Sequence, residues 1–427
     1  MGLRPRPGRT GRQLGRAHGG GGVTTVNATT PLTPLDGIRV VDLSTGLGTY
    51  AGRLFADLGA DVIKVEPAGG APERAVPPLT EGGLSLAFAF TEAGKRSVIL
   101  EGSDADRAEQ LENLLGTAQV LLTSEGPGRL RERGLRPADV TRRHPALVHV
   151  SISPFGLTGP WADRPASDLT LLAAGGLLAL AGDPDLPPVR AWGNQTSIIS
   201  GVHAATAALI AVLVLEETGR GQIVDVSAQE AVAHSLENAV QYVDLEQSVR
   251  HRVGSGPVEA GTGLFACSDG WVYLVGGLGG LPLAWNAITE WLEGAGVAGA
   301  ATLREPRWLA RDWRRSAEGV RTFRDLFERF AAPRTKRELY EDGQSRGISI
   351  APVSTPDDLL ASPQLVERGF FRPMTVDGRT LAFPGSPYRF EGLDVAPGIP
   401  PARPGADTRA VLDALPAAAR TTAHSKE

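Results

Sequence analysis

The sequence predicts an α/β protein: a parallel sheet with right-handed crossovers, followed by a smaller α/β region. Three observations lead there. Ile38–Leu43 and Ala60–Glu66 are short apolar runs separated by a glycine turn and a helix-patterned stretch, which makes a βαβ unit. The alternation of strand and helix patterns continues to about residue 245. Beyond the glycine-rich Gly254–Gly263 the texture changes to a hairpin and amphipathic helices.

The elements read in order as follows. Ile38–Leu43 is a buried strand, Gly46–Gly48 a turn, and Tyr50–Leu58 a helix with Leu54, Phe55 and Leu58 on one side. Ala60–Glu66 is the second strand and Arg96–Leu100 the third. Ser103 caps a helix carrying Leu111, Leu114 and Leu115, and Gly116 stands near its end. Val120–Leu122 and Leu147–Ile152 are strands, the latter running into the loop Pro154–Pro160. Asp168–Leu180 and Ser197–Glu217 are apolar helices, and Thr218–Gly221 turns into the strand Gln222–Val226. Ala228–Val243 is helical. Leu264–Val275 is a hairpin turning at Ser268–Gly270, followed by helices around Leu283–Leu292, Arg321–Phe330 and Lys336–Ser345. Ile348–Val353 is a strand, and a helix around Thr408–Leu415 interrupts a proline- and alanine-rich tail. The domain reading is a basic leader over 1–34, a large domain over 35–245, a small α/β domain over 246–390, and a return segment and tail over 391–427.

The chain has 427 residues, 42% of them hydrophobic, ample for a large core. With 43 basic and 48 acidic residues the formal net charge is −5, which calls for neither nucleic acid nor an anionic membrane. The single cysteine, Cys267, rules out an internal disulfide or a cysteine metal cluster and fits a cytoplasmic location. No uninterrupted apolar run reaches the roughly 18–20 residues of a membrane span; the nearest, Ala204–Leu215, reads as a buried helix. The leader carries Arg4, Arg6, Arg9, Arg12 and Arg16 without the apolar core of a secretory signal, and is expected to be disordered.

Bottom-up chemistry points first to Gly46-x-Gly48-x-x-x-Gly52, with Glu66 ending the next strand. Glycines between a strand and a helix let the backbone approach a pyrophosphate. They also serve a βαβ turn for purely steric reasons. Lys95 and Arg96 could hold phosphates, or be solvated charge. The histidines show no metal-binding spacing, so no metal site is expected. There is no GxSxG elbow and no P-loop.

An ordered series of motifs goes further. It comprises Pro34–Ser44, Ala56–Glu66, Gly94–Val98, Ser153–Pro160, Gly182–Asp185 with Pro187–Arg190, Thr218–Gln222, Ser268–Trp271 and Ile350–Val353. In this series the chain resembles the family III CoA-transferases of the carnitine/bile-acid type over nearly all of Leu35–Leu415.

That resemblance implies a Rossmann-like large domain, a smaller α/β domain, and two chains interlocked as a dimer. It implies CoA and acyl-CoA as substrates, a small carboxylic acid as acceptor, and no bound cofactor. In the family an aspartate attacks the acyl-CoA carbonyl to give a mixed anhydride, and CoA thiolate converts this into an enzyme thioester. The CoA cleft is expected around Gly46, Gly48, Lys95, Arg96 and Ser124. The loop over the active site is expected to carry Gly254, Gly256, Gly261 and Gly263.

The chain departs from the family where the chemistry sits. Counting back from Gly201 places Ser197 at the aspartate's position, and the nearest upstream carboxylate in sequence is Asp185. A serine cannot form the anhydride, and Ser197 also reads as a helix N-cap. Ser124-Glu125 replaces an asparagine-phenylalanine pair, and Glu132 stands where an arginine is common, so that Glu125 and Glu132 would repel a polyphosphate. Asp168 aligns with the aspartate of the related 2-methylacyl-CoA racemases, but Ser167 precedes it in place of histidine. His144 is the nearest upstream candidate for a second base. Asp168 also reads as a plain N-cap. The expected function is CoA transfer as the aspartate-lacking subunit of a heteromer with an aspartate-bearing paralogue. The alternatives are a homodimeric transferase, a retired binding or scaffold dimer, and a racemase-like enzyme using Asp168.

Overall fold

The computed structural model describes residues 33–416, apart from 255, 257, 258, 279, 280 and 397. The expected leader, up to residue 32, and residues 417–427 lie outside the described residues. Strand β1 (Arg39–Asp42) runs into a 3-10 turn at Gly46–Gly48 and helix α1 (Thr49–Asp57), which returns to β2 (Asp61–Glu66). There follow α2 (Leu86–Thr91), β3 (Arg96–Ile99), α3 (Asp104–Leu115), β4 (Val120–Thr123) and β5 (Val148–Ser153). The unit closes with α4 (Asp168–Ala174), α5 (Gln195–Thr218) and β6 (Ile223–Ser227). The sheet order is β3-β2-β1-β4-β5-β6, and every pairing is parallel. Strand order reverses between β1 and β4, which opens a crevice at the carboxyl ends of those two strands.

Both faces of this sheet are covered, as parallel sheets require. Val40, Val120, Val148 and Val150 pack against α1 and α5, while Val41, Leu121, Leu114 and Leu115 form the core on the α3 side. Small residues let α5 lie close: a Cβ on Gly201 would stand 2.9 Å from the Cβ of Tyr50 in α1. The predicted helix Ser197–Glu217 is present as Gln195–Thr218. Its 24 residues match a membrane span in length and composition, and 44% of its most apolar 18-residue window is buried inside the protein. Its outer face leaves Val202, Ile210 and Leu213 46%, 60% and 62% exposed.

The second sheet is antiparallel, in the order β9-β8-β7, from β7 (Thr262–Cys267), β8 (Gly270–Val275) and β9 (Ile350–Pro352). Its core is aromatic, with Phe265, Trp285, Trp291, Phe323 and Phe327 at its centre. A last hairpin, β10 (Phe371–Val376) and β11 (Arg379–Pro384), was not anticipated, because Pro373 and Pro384 obscure its strand pattern. It turns at Asp377-Gly378, both at positive φ. Two predicted helices are broken. Asp168–Leu180 stops where Gly176 takes φ 87°, and Ala228–Val243 divides after His234, with Glu237 at φ 56°. The return segment borders β3: Asp407 N–H donates to the Ser97 carbonyl at 3.0 Å, and the Asp407 carboxylate accepts Ser97 N–H at 2.9 Å.

Candidate active site

The first turn of α5 opens beside the β1–α1 turn. Asn194, at its N-cap, makes no side-chain cap. The cap comes from Asp168 instead, whose Oδ1 accepts Thr196 N–H at 2.8 Å, while Arg190 lies 3.9 Å from Oδ2. A carboxylate there satisfies an orphan amide and suits the positive end of the helix dipole. Asp168 is therefore not the N-cap of its own helix; Ser167 fills that place with a capping box.

Ser197 lies inside α5 rather than at its N-cap. It is 7% exposed, and its Oγ donates to the Gly46 carbonyl at 2.7 Å. Gly46 has φ 49°, and a Cβ on Gly48 would fall 2.5 Å from Ser44 Cβ, so the turn fits tightly around this contact. Thr45 N–H donates to Ser124 Oγ at 2.7 Å, bridging the crevice between the ends of β1 and β4. Gly46, Gly48, Ser124 and Ser197 thus meet at one end of the sheet.

Lys95 and Arg96 do not join them as free cations. The Lys95 ammonium is buried, 2.7 Å from Asp42 Oδ2, 2.6 Å from Glu92 Oε2 and 2.8 Å from the Thr49 carbonyl. Lys64 enters the same cluster, bonded to the Ser44 carbonyl and 3.5 Å from Glu92 Oε1. Burial pushes the Asp42 carboxyl up, but Lys64 and Lys95 outweigh it and hold the group below its ordinary range. Burial wins at Glu92, whose carboxyl is raised. A phosphate reaching Lys95 would have to break this network. Arg96 pairs with Asp61 at 3.2 Å and with Asp407 at 3.6 Å.

The expected repulsion in the cleft is also moderated. Glu125 pairs with Arg133 at 2.8 Å and Glu132 with Arg129 at 3.1 Å, so each carboxylate carries its own countercharge. Gly263 falls within β7, Gly261 packs near the Trp285 ring, and Gly254 N–H donates to the Gly182 carbonyl at 3.1 Å. Gly256 stands in open space. None of these four lines the cavity beside Ser197. His144 sits before the amino end of β5, its ring 2.8 Å from Glu112, while Asp168 stands at the opposite end of the sheet.

The cavity beside Ser197 has a volume of about 1070 Å³. Its walls come from α2 (Leu86, Phe88, Phe90) and from β11 (Leu381, Phe383), with Trp192 at the rim and Ser197 and Thr49 at the α5 end. Sequence reasoning missed this chamber, because α2 and the β10–β11 hairpin approach each other from more than half the chain apart. It missed the capping role of Asp168 because that carboxylate caps a helix other than the one it opens, 28 positions further on. Lys64 within β2 and Lys95 directly before the neighbouring β3 were the available signal for the buried charge cluster.

Residues 35–408 match CoA-transferase family III. The chain belongs to that family. It is 39% identical, over 88% of its length and 92% of the relative's, to the succinyl-CoA:(R)-benzylsuccinate CoA-transferase subunit BbsE of Thauera aromatica. It is 28% identical to the succinyl-CoA–D-citramalate CoA-transferase of Chloroflexus aurantiacus, over 79% of this chain and 83% of that one. Among solved structures, a CaiB/BaiF family protein from Brucella suis superposes with a TM-score of 0.78 at 26% identity, covering 90% of this chain and 100% of that one.

Proposed function

We propose that this chain is the aspartate-lacking subunit of a heteromeric CoA-transferase that moves CoA between an acyl-CoA and a carboxylic acid. The observation that carries the reading is the state of Ser197. Its hydroxyl is buried and donates a hydrogen bond to a main-chain carbonyl. A carbonyl cannot act as the base a serine nucleophile needs. An oxygen ester formed there would also lie too low in energy to return its acyl group to CoA. The carboxylate is supplied by a partner chain.

Two further observations support a partner. The relative sharing 39% identity is itself named as a subunit. The outer face of α5 presents Val202, Ile210 and Leu213 to solvent, an apolar surface of the kind that a second chain covers. In this reading Gly46, Gly48 and Ser124 border the CoA crevice, as the switch point of a doubly wound sheet would have it. The large domain spans 35–245 and the small one 246–390.

The test is co-expression with an aspartate-bearing paralogue. Transfer of CoA from an acyl-CoA donor is expected from the complex and not from this chain alone. Turnover by the purified chain alone would refute the subunit reading. A complex that neither binds nor exchanges acyl-CoA would leave a scaffold.

A further inference from the structure

The cavity beside Ser197 differs chemically from a site built for a small dicarboxylate. Its walls are Leu86, Phe88, Phe90, Leu381 and Phe383, and Val76 and Leu360 extend them toward solvent. Among the described lining residues the charged side chains are Glu73 and Glu92, both acidic. Glu92 is shared with Lys95 at 2.6 Å, and Glu73 has Oε2 buried without a hydrogen-bond partner.

Two guanidinium groups stand behind the aromatic walls and are committed, whereas Arg190 reaches the Gly193 carbonyl at 3.3 Å at the α5 end. The Arg74 guanidinium lies over the Phe88 ring at 4.4 Å but is bonded to Glu66 at 2.6 Å. Arg53 lies over the Phe90 ring at 5.5 Å and is bonded to Asp57 at 2.6 Å. The polar lining residues Asn194, Gln195, Ser197 and Thr49 gather at the α5 end; on the α2–β11 side a substrate carboxylate would meet two carboxylates and apolar rings, and would lose its hydration without a countercharge. A ring or alkyl chain would bury its surface at no such cost. The volume of about 1070 Å³ is far larger than a four-carbon acid fills.

We infer that this cavity receives the uncharged, apolar part of an acyl group, such as a phenyl ring or a branched alkyl chain, and discriminates against a second carboxylate. The inference rests on the reading of this chain as an acyl-CoA-binding subunit. It adds to that reading the substrate class the site selects.

The test uses the purified full chain and two ligand sets followed by calorimetry. The first set omits CoA: 3-phenylpropionamide, which is neutral, against succinate. The second compares 3-phenylpropionyl-CoA, acetyl-CoA and succinyl-CoA. The amide is expected to bind and succinate not to. 3-Phenylpropionyl-CoA is expected to bind at least roughly tenfold tighter than acetyl-CoA, with succinyl-CoA no tighter than acetyl-CoA. Leu360→Arg, at a position 49% exposed and so tolerant of charge, should abolish amide binding and shift preference toward succinyl-CoA.

Tightest binding by succinyl-CoA, equal binding of the phenylpropionyl and acetyl thioesters, or amide binding unaffected by Leu360→Arg would each overturn the inference. So would the failure of every ligand to bind, or loss of amide binding once the paralogue is added, which would give the cavity to partner side chains. Amide binding that Leu360→Arg abolishes, with no thioester bound, would sustain the apolar site and remove the CoA reading instead.

Discussion

The hydroxyl of Ser197 donates to the carbonyl of Gly46 at 2.7 Å, joining the first turn of α5 to the β1–α1 turn across 151 positions of sequence. The family's attacking group is expected at this position, and here the side chain is used as a tie. Ser197→Ala removes the tie and leaves the Gly46 carbonyl with the Thr49 hydroxyl, at 3.1 Å, as its donor. Stability should fall by about 1 kcal/mol in urea denaturation, with the transfer rate of the heteromeric complex unchanged. A large loss of rate at unchanged stability would return Ser197 to the chemistry.

Ser197→Asp has the opposite purpose. A carboxylate cannot donate to the Gly46 carbonyl, so it turns away from that oxygen toward the cavity that Ser197 lines. The variant should acquire an enzyme-bound CoA adduct on exposure to acyl-CoA, detectable by intact-mass measurement and released by hydroxylamine. Acyl-CoA binding without any adduct would show that position 197 does not correspond to the family's aspartate.

Asp168→Ala should cost about 1 kcal/mol, because the Thr196 amide loses its cap and the helix dipole its anion. Asp168→Asn keeps an acceptor and should recover most of that loss. A racemase-type role would appear differently, as α-proton exchange into solvent that both variants abolish at unchanged stability.

Lys95→Met tests whether Lys95 binds phosphate or holds the fold. Its ammonium lies between Asp42 and Glu92, with its side chain 1% exposed. Removing it strands buried charge and should cost about 3–5 kcal/mol, read as a lowered midpoint in urea. A stable variant with weakened CoA binding would reverse the assignment.

His149 sets a pH dependence. It is buried on β5, its Nε2 lies 3.0 Å from Thr123 Oγ1, and burial lowers its pKa from 6.5 to about 4. The imidazole is neutral in both states above pH 6.5. Between there and about pH 4 the unfolded chain takes up a proton that the fold refuses, so stability falls as pH falls. The loss across that window is about 3 kcal/mol. His149→Gln should flatten this part of the urea-midpoint profile; an unchanged slope would assign it to other groups.

Much of the sheet was legible because its strands are short apolar runs bounded by glycine turns, and the helix at Lys336–Ser345 matches its predicted bounds. Helix ends were less legible wherever a glycine or a positive-φ residue cut a continuous apolar pattern, as at Gly176 and Glu237. The site was legible only as a list. Spacing brought out Gly46 and the family resemblance brought out Ser124 and Ser197, but neither could show that Ser197 faces Gly46, because that contact depends on how α1 and α5 cross at Gly201. Sequence reasoning offered Lys95 as a phosphate ligand because a lysine before a strand looks the same whether its ammonium points outward or into Asp42. It offered Asp185 as the neighbouring carboxylate, whereas folding brings Asp168 to α5.

The border that residues 405–408 form along β3 has a consequence for synthesis. Gly405 N–H donates to Ser97 Oγ at 2.8 Å, and Ile99 N–H to Thr408 Oγ1 at 3.0 Å, so the outermost strand of the first sheet gains these partners from chain made some three hundred residues later. While the ribosome is still translating the second sheet, β3 is an open edge able to pair with other nascent chains. The growing polypeptide thus stays prone to aggregate until residues 405–408 have been made, and a stall upstream of Gly405 should release a product that precipitates.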